Sequence, residues 1–136
     1  MNTQDMRRRI EGAMVARLAT VGRDGRPHIV PITFAPTEHA LYFAVDQKPK
    51  KSADLQRLRN IEANPGVSVL IDHYEDDWAR LWWVRVDGRA RIIREGGELE
   101  TVITLLSRRY AQYRSARPAG PAVAIETERM TAWSAS

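Results

Sequence analysis

Apolar residues recur with two different periods along this chain, and the switches between them divide it into helices and strands. Met6, Ile10, Ala13 and Met14 fall at helical spacing within residues 5–16, so the chain is predicted to open with an amphipathic helix. Period-two runs follow at 17–21 and 27–34. Between them, Gly22-Arg23-Asp24-Gly25 carries the Asp-Gly pair that tolerates the positive φ values of a tight hairpin. Residues 41–45 form a third short strand. Leu55, Leu58 and Ile61 mark one face of a helix over 52–63, with Ser52 as its N-cap and Asn64-Pro65-Gly66 as its stop. Residues 67–71 and the longer run 81–93 read as strands, the second bent where Gly88 weakens the pleat. Leu99, Val102, Ile103, Leu106, Tyr110 and Tyr113 stripe a second main helix over 98–113. Residues 123–133 close the chain as a strand interrupted by the polar stretch 126–129.

Five or six strands joined mostly by short turns, with two or three helices, predict a mainly β, α+β architecture: an antiparallel sheet or barrel with helices packed outside it. No repeat or linker divides residues 1–136, so one domain is expected. A barrel of this size has little interior room, which sends any cofactor to its outer surface, into a cleft completed by a second subunit.

Composition narrows the chemistry. At 136 residues, 43% hydrophobic and 28% charged, the chain suits a single core. No apolar run approaches the roughly 20 residues of a membrane span. The absence of cysteine removes disulfides and thiolate chemistry and makes the cytoplasm the expected location. Twenty-one basic against 17 acidic residues leave a net charge of +4, too little to indicate a nucleic-acid partner. The placement of the charge says more. In a chain that otherwise uses arginine, its three lysines, Lys48, Lys50 and Lys51, share one four-residue window just before a predicted helix start. Helix-start amides and the helix dipole favour an anion, and lysine adds a mobile point charge, so this window suits a phosphate. Arg57 and Asn60, three apart on the following helix, can reach the same place.

Residues 78–83 hold three of the four tryptophans. Period-two alternation puts Trp82 and Trp83 on opposite faces of a strand, which leaves Trp78, ahead of the strand, as the better ligand candidate. Asp72, Glu75, Asp76 and Asp77 lack the spacing of a calcium loop, and His28, His39 and His73 are dispersed, so no metal site is predicted. There is no nucleophile elbow, Walker loop or dinucleotide fingerprint. Arg108, Arg109, Arg114 and Arg117 lie in a stretch free of acidic residues that could attract an anionic tail if they converge.

Leu18-Ala19-Thr20, Asp24-Gly25-Arg26-Pro27, the strand with Pro31, the lysine window and Asn60-Ile61-Glu62-Ala63-Asn64-Pro65 before Val67-Ser68-Val69-Leu70 together resemble the pyridoxamine-phosphate-oxidase-like split β-barrel superfamily. The segment 78–88 and the short ending at Trp133 resemble its actinobacterial coenzyme F420-dependent branch. The resemblance implies a six-stranded antiparallel split β-barrel with flanking helices. It also implies a homodimer with a cofactor at each subunit interface: coenzyme F420, alternatively FMN. Carried over by position, Lys48, Lys50, Lys51 and Arg57 fall in the phosphate region with Asn60. The backbone around Thr20 and along Pro31, Ile32 and Thr33 is the ring-binding edge, and Trp78 stacks beside the ring or closes the substrate pocket. The implied activity is hydride transfer between the deazaflavin and an unsaturated or conjugated small molecule. The alternatives are an FMN enzyme of the same fold and a non-catalytic flavin or tetrapyrrole binder. The short ending argues against vitamin B6 oxidation, and no catalytic side chain is named.

Overall fold

The computed structural model describes residues 1–45 and 52–136, and side chains outside 46–55. The lysine window therefore lies outside the described residues. Helix α1 (Thr3–Gly12) starts earlier than its apolar stripe, because Asn2 and Asp5 form a reciprocal capping box. It is followed by β1 (Ala16–Val21), β2 (Pro27–Ile32), a two-residue β3 (Ala35–Pro36) and β4 (Ala40–Ala44). Helix α2 (Ser52–Ala63) has the predicted bounds, with Ser52 as its first helical residue. Strand β5 (Gly66–His73) runs through a single 3-10 turn at Trp78–Arg80 to β6 (Trp82–Ile93). Then come α3 (Gly97–Arg109), α4 (Ala111–Ser115) and β7 (Ala122–Ser134).

Among the described residues the strands form one seven-stranded antiparallel sheet in the order β2-β1-β5-β6-β7-β4-β3. Its two edge strands, β2 and β3, are consecutive in sequence and separated only by Thr33 and Phe34. Three Cα steps span at most about 11 Å. The sheet must therefore curl until its edges nearly meet, which makes it a split barrel. The expected architecture holds, with seven strands in place of six.

Alternation follows from that curl. In β1, Ala16, Leu18 and Thr20 point inward, while Arg17 and Val21 point out. The interior is filled by Leu18, Phe34, Phe43, Val69, Ile71, Val84, Val86, Val123 and Ile125, and Leu58 and Ile61 of α2 and Ile10 of α1 join the same cluster. A second cluster lies under α3, whose Leu99, Val102, Ile103 and Leu106 pack with Ala35, Ala122 and Ala124.

Two expectations are corrected. The predicted helix over 98–113 is two helices, because Tyr110 leaves helical geometry (φ −125°, ψ 121°) to send its hydroxyl to the backbone of Phe34 and Met14. Strand β7 continues through the polar stretch 126–129. Its register against β6 slips between Asp87 and Gly88, so one extra residue of β7 bulges out of the ladder and the charged side chains remain exposed. Gly88 is what permits this close approach, since a Cβ there would lie 2.4 Å from the Glu126 carbonyl oxygen.

Candidate functional site

The sequence-predicted residues fall into two groups. The first surrounds the start of β5. Thr20 and Asn60 are 1% and 2% exposed, and Asn60 Nδ2 donates to Thr20 Oγ1 at 3.0 Å while its Oδ1 accepts from Gln56 Nε2 at 2.7 Å. Their side chains thus tie α2 to β1. Asn64 Nδ2 donates to the carbonyls of Val21 and Gly22, fixing the β1–β2 hairpin to the end of the helix. Arg57 is buried with its guanidinium 5.5 Å from the centre of the Phe43 ring. Of the predicted phosphate-binding set, Arg57 and Asn60 lie on α2, whose first residue directly follows the lysine window, and Lys48, Lys50 and Lys51 are outside the described residues.

The second group lies at the opposite end. In the register of β1 with β2 and β5, Arg17 faces both Pro31 and Leu70. Pro31 is exposed, whereas Ile32 is 5% exposed and faces the core, so only its backbone is open to a ligand. Thr33 Oγ1 shares a 2.8 Å hydrogen bond with the Tyr113 hydroxyl beside a cavity of about 420 Å3. Because β2 is a sheet edge, it retains backbone donors and acceptors without a strand partner. Trp78, 75% exposed, follows the far end of β5. From Val67 to His73 that strand covers roughly 20 Å at about 3.3 Å per residue. Within one chain Trp78 and Thr33 thus lie apart from the Thr20–Asn60–Arg57 group.

Between the two groups, the outer face of β2-β1-β5-β6 carries a groove of about 570 Å3. Ala19, Ile29, Leu70 and Trp83 give it an apolar floor, flanked by Arg17 and Arg85. Ile29 is 67% exposed, and Trp133, which faces Trp83 across the β6–β7 ladder, is exposed as well. Beyond the groove Asp87 accepts from Ser68 at 2.7 Å and pairs with Arg85 and Arg129, and the hydrogen bond from Ser68 is the main cause that holds its carboxyl below the ordinary range.

The arginines of 108–117 do not converge on an anion site. Arg109 donates to the Glu11 and Ala13 carbonyls at the end of α1 and lies over Phe34, Arg114 donates to the Ser107 and Arg108 carbonyls that end α3, and Arg117 pairs with Glu100. Sequence reasoning also missed a cluster at the end of β5, where His73 Nε2 bonds Glu75 Oε2 and Arg80 pairs with the same carboxylate. Only the two-residue spacing of His73 and Glu75 is legible in the sequence; the placement of His73 opposite Trp82 comes from the strand register.

The family model described as pyridoxamine 5'-phosphate oxidase matches residues 3–134, every described strand included. The chain belongs to that family. No curated protein matches the sequence. Among solved structures of the same split-barrel fold, a conserved hypothetical protein of Mycobacterium tuberculosis, Rv2991, has a TM-score of 0.80 at 22% identity, covering 99% of this chain and 86% of that one. The FAD-binding protein of Mesorhizobium loti has a TM-score of 0.73 at 21% identity, covering 97% and 94%. HutZ, the heme storage protein of Vibrio cholerae, has a TM-score of 0.73 at 18% identity, covering 97% and 93%. Likeness at this level is likeness of fold. Among the described residues of this pyridoxamine 5'-phosphate oxidase family member, no helix is long and apolar enough to cross a membrane.

Proposed function

We propose that the protein is a homodimeric oxidoreductase that holds a flavin-type cofactor, coenzyme F420 or alternatively FMN, at each of two subunit interfaces and reduces a conjugated small molecule. The observation that carries this reading is the division of the sequence-predicted residues between the two ends of β5, with an apolar groove between them. A two-fold partner laid on the β2-β1-β5-β6 face covers Ile29, Leu70, Trp83 and Trp133 and sets the Trp78 end of one copy against the Arg57 end of the other. The groove suits a flat ring, since its volume falls within the range of about 300–1,000 Å3 typical of ligand pockets and arginines flank an apolar floor. Such a cofactor, when bound, supplies the hydride; the chain's residues hold and orient it and exclude water. Lys48, Lys50 and Lys51 with Arg57 carry the phosphate, while the second copy brings Trp78 and the edge of β2 along Pro31 to Thr33, whose backbone offers hydrogen bonds to the ring.

Three of the arginines in 108–117 are engaged in structural bonds rather than grouped for a polyanionic cofactor tail, so direct titration decides between the two cofactors. Cofactor fluorescence quenching with coenzyme F420 and with FMN, run beside sedimentation velocity, tests the whole reading. Saturable binding of one cofactor to a dimer supports it, and binding of F420 alone selects the deazaflavin. A monomer that binds neither refutes it, and binding without turnover of any conjugated acceptor leaves a carrier. Lys51→Ala is expected to weaken binding about tenfold or more, the loss of one charge-assisted phosphate contact. Arg57→Ala is the less clean variant because its side chain is also buried packing.

A further inference from the structure

Beside the sheet-face groove, and sharing Arg17 and Asp72 with it, lies a second one of about 480 Å3 bounded by Arg9, Ala13, Met14, Val15, His73 and Trp82. Its geometry follows from the ladder. His73 ends β5 directly opposite Trp82, and the two rings stack with centroids 6.3 Å apart and planes 17° apart. Arg9, in the last turn of α1, lays its guanidinium 4.6 Å from the centre of the Trp82 ring. It forms no ion pair among the described residues. Arg17 reaches Asp72 only at 3.5 Å and keeps half its side-chain surface exposed. Glu75 accepts from His73 Nε2 and pairs with Arg80 at 3.3 Å.

The charges lining this groove are Arg9 from α1, Arg17 from β1 and Asp72 from β5, with the mutually neutralising Glu75 and Arg80 beside His73. His73 apart, they sum to one positive charge. The walls are an indole, an imidazole and two planar guanidinium groups, surfaces that complement a flat conjugated anion through stacking, cation–π contact and bidentate hydrogen bonding. The bond from Nε2 to Glu75 fixes the orientation of the imidazole and leaves Nδ1 as its second nitrogen.

We propose that this groove is the substrate site, that it takes a small conjugated carboxylate gripped by Arg9 and Arg17, and that His73 Nδ1 is the proton donor. The inference rests on the two-copy reading above, in which the Trp78 end of one protomer meets the cofactor held by the other. Reduction of a carbon–carbon double bond conjugated to a carbonyl breaks the π bond and forms two C–H bonds. A bound reduced cofactor would supply the hydride to the β carbon and be oxidised by its loss, His73 as the imidazolium would give the Nδ1 proton to the α carbon, and solvent would reprotonate the ring.

The test begins without cofactor. Benzoate and its neutral isostere benzamide are titrated into the dimer while the His73 ring and Trp82 indole resonances are followed by NMR. Benzoate is expected to shift both and benzamide neither, and Arg9→Gln should weaken benzoate about tenfold, one charge-assisted contact. Equal responses to the two probes, or benzoate binding that leaves His73 unmoved, overturns the site. In the loaded enzyme His73→Gln should lower kcat on an unsaturated carboxylate with unchanged cofactor affinity, and added imidazole should restore part of it. An unchanged kcat and pH profile overturns the proton-donor role. Failure of the cofactor titration with intact benzoate binding would sink the two-copy reading instead.

Discussion

Tyr110→Phe removes a single oxygen from the point where the barrel closes. That hydroxyl accepts from the Phe34 amide at 3.0 Å and lies 2.9 Å from both the Phe34 and Met14 carbonyls, to one of which at a time it donates. Phe34 is fully buried, so its amide would lose its acceptor with no water to replace it, at a cost of about 1–3 kcal/mol. The lost donor bond adds about 1 kcal/mol, for a total of roughly 2–4 kcal/mol. An unfolding entropy of about 2.1 cal/mol/K per residue gives roughly 0.29 kcal/mol/K for this length, so a loss of about 3 kcal/mol lowers the melting temperature by about 10 °C. Urea unfolding followed by tryptophan fluorescence, paired with a thermal scan, measures both quantities. Tyr113→Phe is the control: it removes only the half-buried bond to Thr33 and should cost about 1 kcal/mol or less. A Tyr110→Phe protein within about 0.5 kcal/mol of the parent at unchanged m-value would refute the account of how the two sheet edges are held together.

Gly88→Ala should destabilise by about 1–3 kcal/mol or more, because the new methyl meets a backbone oxygen rather than a side chain that can swing away; urea midpoints measure it. Asn60→Ala leaves the buried Thr20 hydroxyl without its donor and should cost about 1–3 kcal/mol by the same assay. The Asp87 carboxyl sits below the ordinary range through its bonds to Ser68 and Arg129, so it stabilises the fold above about pH 4 and that contribution is lost as acidification passes its folded value. Asp87→Asn should therefore flatten the acid limb of the stability–pH curve, measured by denaturant unfolding from about pH 5 down to about pH 2, and an unchanged limb would show the bonds to be unimportant.

What the sequence made legible was local. Helix α2 carries its own stop signal, Asn64-Pro65-Gly66, and the β1–β2 hairpin its own Asp-Gly turn, so both were readable from neighbouring residues. The break at Tyr110 was not, since its cause lies 76 and 96 residues away, at Phe34 and Met14. Two residues of β3 carry no period, and the bulge in β7 exists because of Gly88 on another strand. The candidate site divides in the same way. Arg57 and Asn60 are grouped by helical spacing alone, whereas the grouping of Arg9, Arg17, Asp72, His73 and Trp82 depends on strand register and on where α1 packs rather than on sequence proximity.

The length of β5 also has a genetic meaning in the proposed dimer. If one end of the strand in each copy serves the opposite end in its partner, every site is the product of two chains. Two alleles damaged at opposite ends, one at Lys51 and one at Trp78, would restore each other when expressed together, since a mixed dimer keeps one whole site and concentrates both lesions in the other. Two alleles damaged at the same end would not.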